Sequence, residues 1–300
     1  GGGGRGGGGG GGGEGRTSGR GHGCRGPELE EALGFAFGRL FQRVRPEFES
    51  LKDEGLRAER RRMAEREFQA PALAHLRAAG NTPYHQAFIA LVEGDFPRCR
   101  EQARRARVED PERVEASLLE LEAWTFEAQT KLDEVDRPQA RAAVTEGLRC
   151  GAALLGDLRS DPSVPLLMAR LKGVETSLHQ AEGRDIQAAF AAGHAYTEQA
   201  LRLDPDHAEA WLVRSKLLED ACKVSTDRGT SEGMDLGQRQ VEAARRAASL
   251  RPGRAEYLIN LGTALYTFGH AKALHGLDPV PEFAEGRGAG RKAGALEPWN

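Results

Sequence analysis

The fold is decided by residues 200–211, ALRLDPDHAEAW. The apolar face of a helix ends at Leu203. Pro205 has no backbone N–H and disfavours helical geometry in the residue before it, so a helix must stop here. Residues 208–211 are mostly good helix formers, and they restart a helix at once. The stretch therefore predicts two helices joined by a tight turn.

The same punctuation recurs along the chain. An Ala five residues before a Pro and a Glu four residues after it occur at Ala106-Pro111-Glu115, Ala200-Pro205-Glu209 and Ala247-Pro252-Glu256. A further copy, Ala293 before Pro298, ends the chain. A fixed block repeated along a helical chain indicates a solenoid of stacked helix pairs.

These residues resemble the tetratricopeptide repeat (TPR) family. Trp211 lies at the early aromatic position of that repeat, and Leu261-Gly262 lies at its Leu-Gly position. Gly94-Asp95-Phe96 and Gly269 lie where the two helices of a unit are joined. The resemblance implies an all-α superhelix of helix-turn-helix units.

The spacing of the prolines departs from that family. Its period is about 34 residues, whereas Pro111, Pro162, Pro205, Pro252 and Pro298 are separated by 51, 43, 47 and 46 residues. We therefore expect TPR-like repeats whose helices are elongated or interrupted. The boundaries between residues 112 and 190 are the least defined by the pattern, because Pro162 lacks the preceding Ala.

Residues 1–26 form a Gly/Arg-rich, low-complexity tail. Such a segment buries too little apolar surface to become ordered, so we expect it to be disordered. One alternative is an Arg-Gly tail that binds nucleic acid, although no aromatic residue separates the arginines. Another is an upstream start site assigned too early, in which case the natural protein begins near Pro27 or continues from a longer chain.

The remaining chain divides into a helical N-terminal segment, 27–80, and a repeat domain, 81–300. In the first segment, Pro46 is expected to interrupt a helix. Residues 51–68 predict a charged helix whose interleaved signs indicate a solvated face rather than a basic nucleic-acid patch. In the repeat domain, the polar segment 225–237 is expected to be an insertion within a repeat.

Composition adds few functional indications. The chain has 300 residues and a formal net charge of −3, which gives no argument for a nucleic-acid or membrane partner. The four cysteines are widely spaced, so we expect reduced thiols in a cytoplasmic protein, with neither metal nor cofactor. No apolar run reaches the roughly 18 residues that a membrane helix needs.

Motifs of catalysis occur only in the wrong context. Residues 229–233, GTSEG, match the nucleophile elbow, which requires a preceding strand, so we interpret Ser231 as a loop serine. Residues 286–292, GRGAGRK, lack the Ser or Thr that follows the lysine of a phosphate loop. The chain also lacks the kinase motifs. We therefore expect no enzymatic activity.

The family resemblance also implies where a partner binds. One side of each first helix lines a concave groove that holds an extended peptide or a helix. The implied groove residues include Tyr84, His85, Phe88, Lys216, Asn260, Thr263 and Tyr266. Lys216 and Asn260 would together hold a carboxylate, as in family members that bind chaperone tails. Alternatively, each of these residues is solvated or packs between helices.

The resulting interpretation is a non-catalytic scaffold that binds another protein. The interrupted, Arg-Ala-rich repeats also resemble the C-terminal region of bacterial serine/threonine protein kinases. The alternative is therefore a detached regulatory or sensor region whose catalytic domain is absent from this chain.

Overall fold

A computed structural model describes residues 26–49 and 53–296. The tail expected to be disordered lies outside these residues, except for Gly26. No β-strand occurs in the described ranges, and the chain there is almost wholly helical. The helices are α1 (Pro27–Glu49), α2 (Glu54–Ala64), α3 (Ala70–Ala79), α4 (Pro83–Glu93), α5 (Phe96–Glu109), α6 (Val114–Asp133), α7 (Arg137–Asp157), α8 (Ser163–Ala181), α9 (Gln187–Leu203), α10 (Ala208–Asp227), α11 (Glu232–Leu250), α12 (Ala255–Leu274) and α13 (Val280–Leu296).

The turns predicted at Pro111, Pro205 and Pro252 are confirmed, whereas Pro298 lies outside the described residues. The turn of Pro205 separates α9 from α10, and that of Pro252 separates α11 from α12. Within the first clear repeat, Gly94 has a left-handed φ of 81° that ends α4. The Asp95 side chain then caps α5 by accepting a hydrogen bond from the backbone N–H of Arg98 at 3.2 Å.

Helix pairs stack in sequence order. From α4 onward, each pair consists of a first helix and an antiparallel second helix, and the second helix also packs on the first helix of the next pair. The first helices α4, α6, α8, α10 and α12 contact one another in succession, and we call them the inner row. No comparable packing joins successive second helices in the described ranges. The chain is therefore an all-α, TPR-like solenoid whose inner row lies on the more tightly curved side.

The long period comes from elongated helices. The expected insertion at 225–237 is wrong, because α10 continues to Asp227 and α11 begins at Glu232. Gly229 lies in the short turn, whereas Gly233 and Gly237 lie inside α11 and allow close contact: a Cβ on Gly237 would lie 2.8 Å from Cδ2 of Phe268. The expected turn at Gly269 is also wrong. This residue lies within α12, where a Cβ would come within 2.6 Å of the Phe283 ring.

The N-terminal helices form a further hairpin that packs on the first repeat. The interruption expected at Pro46 is wrong, because α1 continues to Glu49. A π-helical turn, Glu65–Gln69, connects α2 directly to α3. Phe41 and Leu76 of this hairpin share one hydrophobic core with Phe88 of α4. The segment 27–80 is thus packed against the repeats through a common core.

Candidate interaction surface

At the first repeat, the inner row is covered by α1. Phe88, one of the implied groove residues, is only 1% exposed. The Phe35 ring of α1 meets it edge-on, with 4.7 Å between ring centroids, and lies 5.5 Å from the Tyr84 ring. The Arg39 guanidinium lies over the other part of the Phe88 ring, 5.1 Å from its centroid. Phe88 is therefore a packing residue, as the alternative interpretation held.

Polar contacts fix α1 in this position. His85, also an implied groove residue, is buried with its Nε2 3.3 Å from the Glu31 carboxylate. Arg39 donates a 2.6 Å hydrogen bond to Glu122 on α6. Burial raises the pKa of Tyr84 to about 12, so its hydroxyl stays protonated. These contacts place Tyr84, His85 and Phe88 against a helix of the same chain.

On α12, Tyr266 is 64% exposed and Ile259 is 47% exposed, and Thr263 is partly exposed beside them. The Tyr266 ring also lies 5.7 Å from the Phe283 ring of α13. Lys216 on α10 is exposed and forms no ion pair with any residue in the described ranges. The structure thus presents an aromatic ring, an aliphatic side chain and a free ammonium group on adjacent inner helices.

Asn260 lies on the same helix as Tyr266. It is only 6% exposed, and its Oδ1 accepts no hydrogen bond within the described chain. A buried amide oxygen without a donor is unfavourable, because it loses its hydrogen bonds to water. On α10, Leu212 and Val213 are buried packing residues, and Glu209 is paired with Arg170.

A polar cavity, which the sequence analysis did not identify, opens at the C-terminal ends of α8, α10 and α12. Its volume is about 240 Å³. Its lining consists of Gln180, Lys223, Thr226, Asp227, Thr267 and His270. Three successive inner helices therefore contribute to one concavity.

The carboxyl group of Asp220, on α10 and facing α8, has a shifted pKa. Burial raises the pKa of the Asp220 carboxyl from 3.8 to about 6, with the neighbouring Glu219 acting in the same direction. The Ser177 hydroxyl, which hydrogen-bonds to Asp220, and the Lys223 ammonium oppose this shift. Without a closer cation, the charged form of Asp220 is unfavourable in the folded chain.

The serine of the GTSEG stretch lies in a turn between two helices, as the sequence predicted. Ser231 is exposed in the turn before α11 and follows a helix rather than a strand. Burial raises the pKa of the Cys99 thiol to about 12 and that of Cys150 to about 11, which disfavours the nucleophilic thiolate.

The described residues contain no cluster of three or more His, Cys, Asp or Glu side chains that could hold a metal. Among the same residues, no helix has the length and apolar character required to cross a bilayer.

The fold of this chain is similar to several solved structures. No protein-family model matches the chain, and no curated protein matches it. The MamA protein structure is 14% identical, with 72% of this chain and 93% of that chain covered and a TM-score of 0.43. TTC0263, a thermophilic TPR protein of Thermus thermophilus, is 16% identical, with 69% and 96% covered and a TM-score of 0.42. Yeast Tom70 is 13% identical, with 91% and 56% covered and a TM-score of 0.41.

Proposed function

We propose that this protein is a non-catalytic scaffold that binds a segment of another protein along the open inner face of α8, α10 and α12. The observation that carries this proposal is the combination of exposed Ile259, Tyr266 and Lys216 on adjacent helices of one concave row. Exposed aromatic residues are typical anchors in protein interfaces, and an unpaired ammonium group can form a charge-assisted hydrogen bond with a partner. The bound segment is an extended peptide or a helix.

Lys216 and Asn260 give this surface a polar anchor. A carboxylate on the partner would accept a charge-assisted hydrogen bond from the Lys216 ammonium. Asn260 lies on the neighbouring inner helix, and its buried side chain has to turn toward the surface before a partner N–H can satisfy its unpaired Oδ1. Tyr84, His85 and Phe88 do not belong to this surface, because α1 covers them.

The second interpretation, a detached regulatory region of a protein kinase, has no observation in its favour among the described residues. A cytoplasmic location remains part of the proposal, because widely spaced cysteines are usual for reduced thiols in that compartment.

A selection of displayed random peptides against the full chain tests this proposal. Peptides that bind are measured by fluorescence polarisation against wild type, Tyr266→Ala and Lys216→Glu. We expect each variant to weaken binding by about tenfold or more, because each removes an interface anchor worth more than about 1 kcal/mol. Val108→Ala is the matched control, since Val108 is exposed on the second helix α5. Binding that survives both inner-face variants would show that the partner binds elsewhere.

A further inference from the structure

The polar cavity at the ends of α8, α10 and α12 has the size of a side-chain site. Its volume of about 240 Å³ is below the range of about 300–1,000 Å³ that is usual for small-molecule and cofactor sites. Every lining side chain carries a polar atom. The cavity therefore suits one polar group of limited size better than an organic cofactor.

The interior of the cavity holds an unpaired hydroxyl. Thr267 is only 8% exposed, and its hydroxyl hydrogen-bonds to no residue that the structure describes. The Thr226 hydroxyl lies instead in the contact between α10 and α11, with the Cys222 sulfur at 3.9 Å and a Cβ on Gly233 only 2.7 Å away. The Thr267 hydroxyl is therefore the one of the two that is available to a polar ligand in the cavity.

The charges around the cavity favour a cation. The Lys223 ammonium is already paired with Glu219, one helical turn earlier. Asp227 lies exposed at the rim, and it forms no ion pair with any residue in ranges 26–49 and 53–296. The charged lining side chain without a partner is therefore Asp227, and the exposed imidazole of His270 completes the lining. Gln180 and the Thr267 hydroxyl add acceptor oxygens.

We propose that this cavity binds the guanidinium group of an arginine side chain on the bound protein segment, an inference that rests on the proposed function. A guanidinium has five N–H donors in a plane and no acceptor. Asp227 can accept a charge-assisted pair of hydrogen bonds from it, while the hydroxyl oxygen of Thr267 accepts a further N–H group.

The position of the cavity relative to Lys216 defines a pattern in the partner. Helix α10 rises about 16 Å between Lys216 and Asp227. An extended segment covers that distance with about five residues. The partner segment therefore carries a carboxylate and an arginine about five positions apart, the first near Lys216 and the second in the cavity.

Methyl NMR of the full chain tests the proposal directly. Threonine methyl groups are labelled with ¹³C. The signals of Thr226 and Thr267 are assigned from the signal that disappears in Thr226→Ser or Thr267→Ser, since serine keeps the hydroxyl and lacks the methyl group. The probes are Nα-acetyl-arginine N-methylamide and the matched citrulline compound, which has the same shape and no charge. We expect saturable shifts of both methyl signals with the arginine probe and at least tenfold weaker binding of the citrulline probe.

Two substitutions locate the interaction. Asp227→Asn should weaken binding of the arginine probe by about tenfold, since the substitution removes the charged acceptor. Asp157→Asn, at an exposed position in the last turn of α7, should leave binding unchanged. Equal binding of the citrulline probe, or no effect of Asp227→Asn, would overturn the proposal. Stronger binding of a blocked glutamate would also overturn it, because Lys223 would then be the anchor.

The two proposals fail in different ways. Peptides that bind the inner face, combined with no response to the arginine probe, would refute the arginine site and leave the scaffold function intact. A response to the arginine probe, combined with no peptide that depends on Tyr266 or Lys216, would refute the proposed inner-face scaffold and leave a small-ligand site.

Discussion

Asp220 lies in an environment that disfavours its negatively charged form, because the carboxyl is shielded from water. Its carboxyl has a folded-state pKa of about 6, compared with an ordinary value of 3.8, because it is buried between α8 and α10. The folded chain therefore binds the Asp220 proton more tightly than the unfolded chain does. Below the ordinary value the proton is bound in both states, and this carboxyl adds no penalty. As pH rises from about 4 to 6, it increasingly destabilises the fold.

Asp220→Asn should remove that penalty. The free energy of unfolding of the variant, relative to wild type, should rise from near zero at pH 4 to about 1–3 kcal/mol at pH 7, since one pKa unit corresponds to about 1.4 kcal/mol. Urea titrations across this pH range measure the difference. Glu101→Gln, an exposed position on α5, is the control and should stay within about 0.5 kcal/mol throughout. A gain that does not vary with pH would show that the Asp220 charge is not its cause.

The exposure of some proposed site residues could be predicted from the sequence, whereas the burial of others could not. The exposure of Lys216 and Tyr266 follows from their positions on amphipathic helices, a local property. The covering of Phe88 depends on Phe35, far earlier in the chain, and no local pattern reveals such a contact. The unpaired hydroxyl of Thr267 likewise depends on what surrounds it in three dimensions.

The helix boundaries likewise divide into those that the local sequence determines and those that depend on contacts between helices. Prolines at 205 and 252 located turns correctly, because proline removes a backbone donor and restrains the preceding residue. Glycines misled the interpretation of residues 225–237, because glycine marks both loops and close helix contacts. Gly233 shows the second use: a Cβ there would lie 2.7 Å from the Thr226 hydroxyl oxygen.

The docking of α1 on α3 depends on a similar close contact at Gly34. A Cβ at this position would lie 2.9 Å from the backbone nitrogen of Leu76, which no side-chain rotation can relieve. Gly34→Ala should therefore displace α1 and destabilise the chain by about 1–3 kcal/mol. Hydrogen exchange should increase in α1, α3 and α4, because α1 would no longer cover Phe88.

Gly156→Ala is the matched control for this substitution. Gly156 lies within α7, and a Cβ there has no atom within 4 Å. The change should stabilise the chain by about 0.5–1 kcal/mol, because alanine favours a helix more than glycine does. If Gly34→Ala is equally stabilising, α1 does not pack closely on α3.

Across the whole chain, stability is distributed through contacts between neighbouring helix pairs. Trp211 illustrates the connection, since it packs against three successive core clusters around α9, α10 and α11. Its indole N–H also donates a 2.9 Å hydrogen bond to the carbonyl oxygen of Pro205 in the preceding turn. At the other end, Leu119 belongs to the core shared by α1, α3, α4 and α5. In a solenoid, each unit is stabilised by its own packing and that of its neighbours.

A reciprocal pair of substitutions tests this arrangement. Trp211→Ala should cost about 3 kcal/mol, since the side chain is partly exposed, and should increase hydrogen exchange from α8 to α12 while α4 and α5 keep their protection. Leu119→Ala should cost about 2–5 kcal/mol, because Leu119 is buried at the opposite end. It should increase hydrogen exchange in α4 and α5 while α8 to α12 keep their protection. If either substitution raises exchange equally at both ends, the chain unfolds as one cooperative unit. If Trp211→Ala changes stability by less than about 0.5 kcal/mol, Trp211 does not connect these repeats.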